Sequence, residues 1–440
     1  MRPSKNPLSR TLVFQDHRRH LTFILDAARR AADPRLAMLR ALKDHPPRCW
    51  PKVVIAVGKA ALAMDEGLSE AMGSCAMTRC IVVPAGSPTW GESGSLLFAD
   101  HPLPSHASYR AARRIEFLLA TRRSRHNCPG ILFLLSGGAS SLLSYPCDGL
   151  SIDDARAVTE ALMHAGAPIV DLNTVRKHTD ALKGGRLAAC AAPLDIDAYI
   201  LSDVIDDRLD TIGSGPVSPD PTTFADALAV LDRFRLRDAA PKVTAILESG
   251  ARGEHPDTPK PGDPVFDHVR SRIIAGNLTA LSAAQDAARE LGFRMIDCRP
   301  GVCGEARAVG TELAKASLAA ANSGPACILL GGETTVTVRS TTGRGGRCQE
   351  LALACAAGLE GSPGIAVAAF ATDGVDGNTD AAGAIVTGHT VTAAQRDHGL
   401  SWQEALAANN SHALLDATGS LIRTGPTGTN VCDVAAVLIY

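Results

Sequence analysis

Aromatic residues are scarce in this 440-residue sequence, at 4% of the chain. Charge of either sign is nearly balanced, with a formal net charge of −2. No global field therefore draws the protein to nucleic acid or to an anionic membrane. No apolar run is long enough to span a bilayer; GIAVAAF at 364–370 is among the longest. The basic opening MRPSKNPLSR leads into no apolar segment, so it does not read as a secretory signal. The twelve cysteines contain no C-x-x-C pair, and the thirteen histidines contain no H-E-x-x-H. Reduced, buried cysteines in a cytoplasmic protein are the expectation. His101 and His106 share a Pro-rich loop, which reads as a loop rather than a metal site.

Catalytic signatures are missing as well. A P-loop would need Gly at position 53 and Ser or Thr at position 60, where Val53 and Ala60 stand. No G-x-G-x-x-G follows a strand, which argues against a standard dinucleotide fold. The H-R-D and D-F-G motifs of protein kinases are absent, as is the G-x-S-x-G elbow of ester hydrolases.

What is present is abundant Ala and Gly within a chain that is 45% hydrophobic. At roughly 100–200 residues per domain, two or three domains are expected. Residues 17–42 read as one or two amphipathic helices, broken at Pro34. Short apolar runs then alternate with Gly-containing turns and helical stretches: VVIAVG at 53–58, CIVVPAG at 80–86, GILFLLSGGASSLL at 130–143 and AYILSDV at 198–204. Continuous apolar strands suit a parallel sheet covered on both faces, so an α/β, doubly wound architecture is predicted. Thr223 and Asp226 mark a helix start. The Pro- and Gly-rich stretch 251–264 reads as a linker or surface loop, placing two α/β lobes either side of about residue 260 with a cleft between.

Ligands of open α/β sheets sit at the carboxyl ends of strands, and several polar blocks fall there. Ser136, Gly137, Gly138 and Ser140 form a turn that suits a phosphate or carboxylate; a tight packing turn explains it equally well. Arg176, Lys177, His178, Lys183 and Arg186 cluster around Gly184 and Gly185, as a binding site or a solvated helix face. Asp203 ends a predicted strand, where a carboxylate suits Mg2+ or a hydroxyl proton. Gly213, Ser214 and Gly215 make a second candidate anion turn, while Asp206, Asp207 and Asp210 read as loop solvation. Glu333 follows a Gly pair, and Arg347 ends a Gly-rich loop suited to bidentate oxyanion recognition. Asp373, Asp376 and Asp380 lie among glycines without EF-hand spacing. Two lobes with such anion turns, acidic strand ends and cations fit phosphoryl transfer.

Seven ordered blocks carry a more specific signal: VGKAA, LLSGGASSLL, NTVRKHTDALKGGRLA, LSDV with IGSGPVSPDPTT, GGETTV with GRGGRCQELALA, TDGVDGNTDAAGA and TGPTGTNVCDV. Over roughly residues 20–435 the chain resembles the class II glycerate kinases, the glycerate 2-kinases whose C-terminal part is the MOFRL domain. That resemblance implies a large Rossmann-like parallel-sheet domain over 15–255 and a smaller α/β domain over 265–440, with the MOFRL region at about 325–435. It implies ATP- and Mg2+-dependent phosphorylation of D-glycerate at the 2-hydroxyl. It makes Lys59, Asp203 and Arg347 the catalytic candidates, with Asp203 and Asp373 for metal. Gly332, Glu333, Thr334, Thr427 and Asn430 become candidates for nucleotide contact. Cys348 stands where the family often has Asn, and Ile205, Asp206 and Asp207 replace a usual Gly-Asp continuation. The alternatives are an NAD(P)H-dependent hydroxypyruvate reductase and a non-catalytic nucleotide or metabolite sensor. D-glycerate and ATP are the expected partners, with no nucleic acid and no membrane; a homodimer is the default.

Overall fold

A computed structural model describes residues 12–48, 50–73, 77–87, 95–123 and 130–440. The basic opening segment, Cys49, Cys75 and Cys128 lie outside them. The described residues form two compact units, one of 34–274 and one of 12–33 with 275–440.

The first unit is built on six strands: β1 (Val53–Val57), β2 (Thr78–Pro84), β3 (Leu96–Ala99), β4 (Ile131–Leu135), β5 (Ile196–Leu201) and β6 (Val269–Ala275), in the order β3-β2-β1-β4-β5-β6. The β3–β2, β2–β1, β1–β4 and β4–β5 pairings are all parallel. Every residue of β1, β4 and β5 is buried, as unbroken apolar runs require when helices cover both faces. On one face Ile55, Phe133 and Ile200 pack with Ala112, Ile115 and Leu119 of the helix His106–Arg123. Each such fully buried side chain stabilises by roughly 1.5–3 kcal/mol; truncating Phe133 to Ala would cost roughly 3–5 kcal/mol. A separate helical layer packs Leu162, Val175, Phe224, Leu231 and Leu247 together. Its helix Phe224–Arg233 starts at the predicted Thr223–Asp226 capping box.

The stretch 251–264 is tied to this unit. Thr258 is buried and its hydroxyl donates to Asp220 at 3.0 Å, while the Asp220 N–H donates to the Pro259 carbonyl. The chain then adds β6 to the first sheet, so the change of unit falls at 274/275 rather than near 260.

The second unit carries β7 (Arg294–Val302), β8 (Ala326–Gly332), β9 (Ile365–Ala371), β10 (Gly383–Thr387), β11 (Leu421–Ile422) and β12 (Asp433–Ile439), ordered β11-β10-β9-β12-β8-β7. β7 and β8 are parallel, whereas β12 runs antiparallel to both β8 and β9. This sheet is therefore mixed. Small residues such as Ala326, Ala369, Ala371 and Ala435 bring the helix Arg347–Gly358 close to it. The helix His17–Ala31 packs on the helix Asn277–Glu290 and on β12, which is why the N-terminal helix belongs with the second sheet.

Candidate active site

In the first sheet the strand order reverses between β1 and β4, the place where open α/β sheets bind ligands beyond their carboxyl ends. The two turns there are stitched together. The Ser136 N–H donates to the Val57 carbonyl at 3.0 Å, and the Lys59 N–H to the Gly137 carbonyl at 2.9 Å. The Ala60 N–H donates to the buried Ser136 Oγ at 3.1 Å. Asp203 follows β5, and His101 follows β3.

These residues meet on the glycine pair. A Cβ at Gly137 would lie 2.2 Å from Asp203 Oδ2. One at Gly138, whose φ is +83°, would lie 3.0 Å from His101 Cδ2 and 3.4 Å from Lys59 Cγ. Glycine is needed at both positions because the side chains of three other strand ends occupy the space. The helix that follows, Ala139–Leu142, is a single short turn, so most of the positive charge here comes from side chains.

The basic segment 176–186 divides sharply. Lys177 Nζ is buried against Asp210 at 3.3 Å and Asp220 at 3.2 Å. His178 lies 3.0 Å from Asp257. Lys183 donates to Asp180 and to the Leu143 carbonyl at 2.7 Å. Arg186 donates to the carbonyls of Lys177, Asp180 and Pro256. All four are internal struts, and Asp210, expected in solvent, is one of their counter-charges. Arg176 differs. Burial lowers its guanidinium to about 10 against the pull of Asp180, and its charge reaches His101. With Ser140, Ser144, Asp180, Lys183 and Pro104 it lines a small pocket.

The turn 213–215 is left-handed throughout, with φ of 60°, 61° and 60°. At Ser214 this costs roughly 1–2 kcal/mol, offset by a hydroxyl chain: Ser140 Oγ to Ser214 Oγ at 2.8 Å, and Ser214 Oγ to Asn173 Oδ1 at 2.9 Å. The Gly184 and Gly185 N–H groups donate to the carbonyls of Ser214 and Gly215, and the Ser214 and Gly215 N–H groups donate to Thr211 and Ile212. All four amides are thus engaged, the Gly184 and Gly185 pair tying the two turns together and the Ser214 and Gly215 pair closing the second turn on itself, so none of the four is left to donate to an oxyanion.

In the second unit Arg347 opens the helix Arg347–Gly358 and forks onto Asp433, with Nε and Nη2 donating at 2.5 and 2.9 Å; its Nη1 reaches Glu333 at 3.0 Å. Its carboxylates hold the guanidinium firmly protonated. Burial raises the Asp433 carboxyl to about 6 against the pull of Arg347, which leaves the pair ionic at neutral pH. Asp376 is buried and accepts from the Cys348 and Gln349 N–H groups, capping that helix. Cys348 is buried at the same helix start. Thr334 is buried behind the exposed Glu333, and Gly332 lies against the Val302 backbone. Asp373 accepts from Val375 N–H at 3.1 Å and, through its carbonyl, from Thr427 N–H at 3.0 Å. Thr427 Oγ1 donates to the Thr372 carbonyl, and Asn430 Oδ1 accepts from Cys432 N–H. These last residues shape two packed loops.

Among the described residues no group of three or more His, Cys, Asp and Glu side chains gathers as a metal site. Magnesium commonly takes one or two carboxylates and completes its shell with water and substrate phosphates. Asp203, its oxygen set in the space left by Gly137, fits that pattern. A cavity of about 470 Å3 lies elsewhere in the first unit, lined by Tyr145, His178, Arg186 and Phe224. The strand-end cluster is the better site because it gathers cations, a carboxylate and hydroxyls at the switch point. From the sequence His101 is weighed only as a metal ligand, and Asp433 is not singled out. The first sits just beyond a strand end in ADHPLP, and the second starts the last strand opposite Gly332. Both positions were available signals.

Two family models match the chain: Domain of unknown function (DUF4147) over residues 20–248 and the MOFRL family over 326–433. A protein of Agrobacterium vitis named "Putative hydroxypyruvate reductase" is 38% identical over 96% of this chain and 94% of its own. The D-glycerate 2-kinase of Thermotoga maritima is 36% identical over 88% of this chain and 90% of its own. The crystal structure of a glycerate kinase from Thermotoga maritima superposes with a TM-score of 0.86 at 34% identity, covering 97% of this chain and 100% of that one. With both domains matched and the fold shared along nearly its whole length, the chain belongs to the class II glycerate kinase family, the glycerate 2-kinases with a C-terminal MOFRL domain.

Proposed function

We propose that the protein transfers the γ-phosphoryl group of ATP to the 2-hydroxyl of D-glycerate, releasing 2-phosphoglycerate and ADP. The observation that carries this reading is the meeting of Lys59 and Asp203 on the Gly137–Gly138 turn at the switch point. The kinase names of the family's members support it. Lys59, exposed at the turn, neutralises phosphate charge. Asp203 accepts the proton of the attacking hydroxyl, whose oxygen bonds phosphorus as the bond to ADP breaks. Arg176 holds a substrate oxyanion. Asp203 would also hold magnesium, which when bound draws the phosphate oxygens' charge. In the second unit Gly332, Glu333, Thr334, Thr427 and Asn430 serve the nucleotide, with Asp373 as the further carboxylate for metal. Arg347 grips substrate only by releasing Glu333, the more exposed of its two partners.

No helix among the described residues is long and apolar enough to cross a membrane. No disulfide joins the nine described cysteines, which supports a cytoplasmic setting. The test is ADP release from ATP and Mg2+ with D-glycerate present or absent; release independent of D-glycerate rejects the reading. The name of the Agrobacterium vitis relative favours a second reading, reduction of hydroxypyruvate. NADH oxidation with hydroxypyruvate that follows the pure protein would establish it.

A further inference from the structure

Seven basic side chains belong to the loops after β1 and β3 and to the segment 176–186, and their hydrogen bonding separates them. Lys177, His178, Lys183 and Arg186 are each engaged by a carboxylate or by backbone carbonyls. Lys59, Arg176 and His101 have no side-chain hydrogen bond among the described residues. These three lie together. The His101 ring edge and the Lys59 stem face the same point above Gly138, at 3.0 and 3.4 Å from where a Cβ would stand. The charges of Lys59 and Arg176 both act on the His101 ring. Pro104, on the same loop as His101, lines the small pocket that Arg176 shares with Ser140.

Unengaged donors converging on a turn that excludes a side chain describe an oxyanion site. A site of Lys59 and Asp203 alone leaves the imidazole unexplained, since no side chain among the described residues hydrogen-bonds it. We propose that His101 is a substrate-contact residue, donating a ring N–H to an anionic oxygen held beside Lys59 and Arg176. The oxygen belongs to the hydroxy-acid carboxylate or to a phosphoryl group, both of which present the same chemistry.

Protonation supports the geometry. Desolvation, together with Lys59 and Arg176, brings the free imidazole down to about 4. At neutral pH His101 is therefore neutral and hydrogen-bonds without adding a third positive charge. Lys59 beyond β1 and Arg176 on the helix Ile169–His178 face it, and Asp203 stands at the neighbouring Gly137. A bound anion offsets the two cations, so the His101 titration midpoint must rise when ligand arrives.

The inference rests on the kinase reading only for the identity of the ligand. The test uses the full chain labelled with 15N-histidine, the His101 signal being identified by its loss in His101→Gln. The imidazole is titrated alone, with D-glycerate, with inorganic phosphate and with ATP. The expected result is a midpoint raised by at least one of these anions. In steady-state kinetics His101→Ala should raise one KM about tenfold, the worth of one charge-assisted hydrogen bond. The KM for D-glycerate rises if the carboxylate is the partner, and the KM for ATP if the phosphate is. His101→Asn, which keeps a donor, should recover part of the loss. An unmoved midpoint with all three anions, with both KM values unchanged in His101→Ala, overturns the proposal. Should the wild-type protein release no ADP with D-glycerate, the kinase reading fails while the phosphate titration still decides the role of His101.

Discussion

Arg176 and Arg347 are both arginines beside glycine-rich turns, and the structure treats them in opposite ways. Arg347 has three guanidinium nitrogens on Asp433 and Glu333. Arg176, mostly buried, makes no side-chain hydrogen bond among the described residues and loses proton affinity to burial. An arginine whose donors are filled must release a partner before it can take a substrate oxygen, while a desolvated one without partners is held ready for an anion. Motif reading cannot separate the two, since both sit in blocks of similar composition.

The sharpest way to break the comparison is to remove the groups said to be ready. Lys59→Met and Asp203→Asn should each lower kcat/KM by roughly 10²-fold or more, as for groups that face transition-state charge. Thermal unfolding should be little changed for Lys59→Met, because Lys59 is exposed and makes no ion pair among the described residues. Next, Arg347→Met should cost roughly 3 kcal/mol, read from the urea midpoint, because it leaves the Asp433 carboxylate, only 13% exposed, without its guanidinium partner. Arg176→Met should do the reverse, keeping the urea midpoint while raising a substrate KM about tenfold or more.

The struts behind Arg176 give a pH signature. Burial works against ionisation of Asp220, but Lys177, the Thr222 hydrogen bonds and His178 hold it below its ordinary range. Asp210 is held low by Arg208 and Lys177, also against burial. Both carboxylates bind protons more weakly folded than unfolded, so their stability is full above the ordinary aspartate range and is lost as pH falls through it. The melting temperature should therefore drop below about pH 4, and Asp220→Asn should flatten that drop while lowering stability at pH 7. The smallest effect is expected at Ser214→Gly. Relief of left-handed strain, roughly 1–2 kcal/mol, and loss of the hydroxyl chain, about 1 kcal/mol, oppose one another. A melting temperature far from wild type would contradict that balance.

Much of this is legible in the sequence. Unbroken apolar runs such as VVIAV and ILFLL became the buried central strands, and the Gly pair after ILFLLS became the turn on which the site converges. Less legible was anything set by distant partners. The pairing of Arg347 with Asp433 spans 86 residues, and a local Arg-Gly pattern carries no sign of it. The stretch 251–264 has linker composition, yet Thr258 and Pro259 dock it on Asp220. The antiparallel course of β12 likewise depends on which neighbours it finds, not on its own alternation. As an anion contact His101 was missed because a Pro-rich loop shows no periodicity, and its meaning comes only from the Lys59 and Arg176 charges that fold around it.

The most direct test of the account is an assay of purified protein with ATP, Mg2+ and D-glycerate, coupled to enolase without added phosphoglycerate mutase. Enolase consumes 2-phosphoglycerate, so an immediate signal that is lost in Lys59→Met is the predicted result. ADP release that reaches enolase only after mutase is added would mean phosphorylation at another hydroxyl, and would contradict the proposed substrate placement.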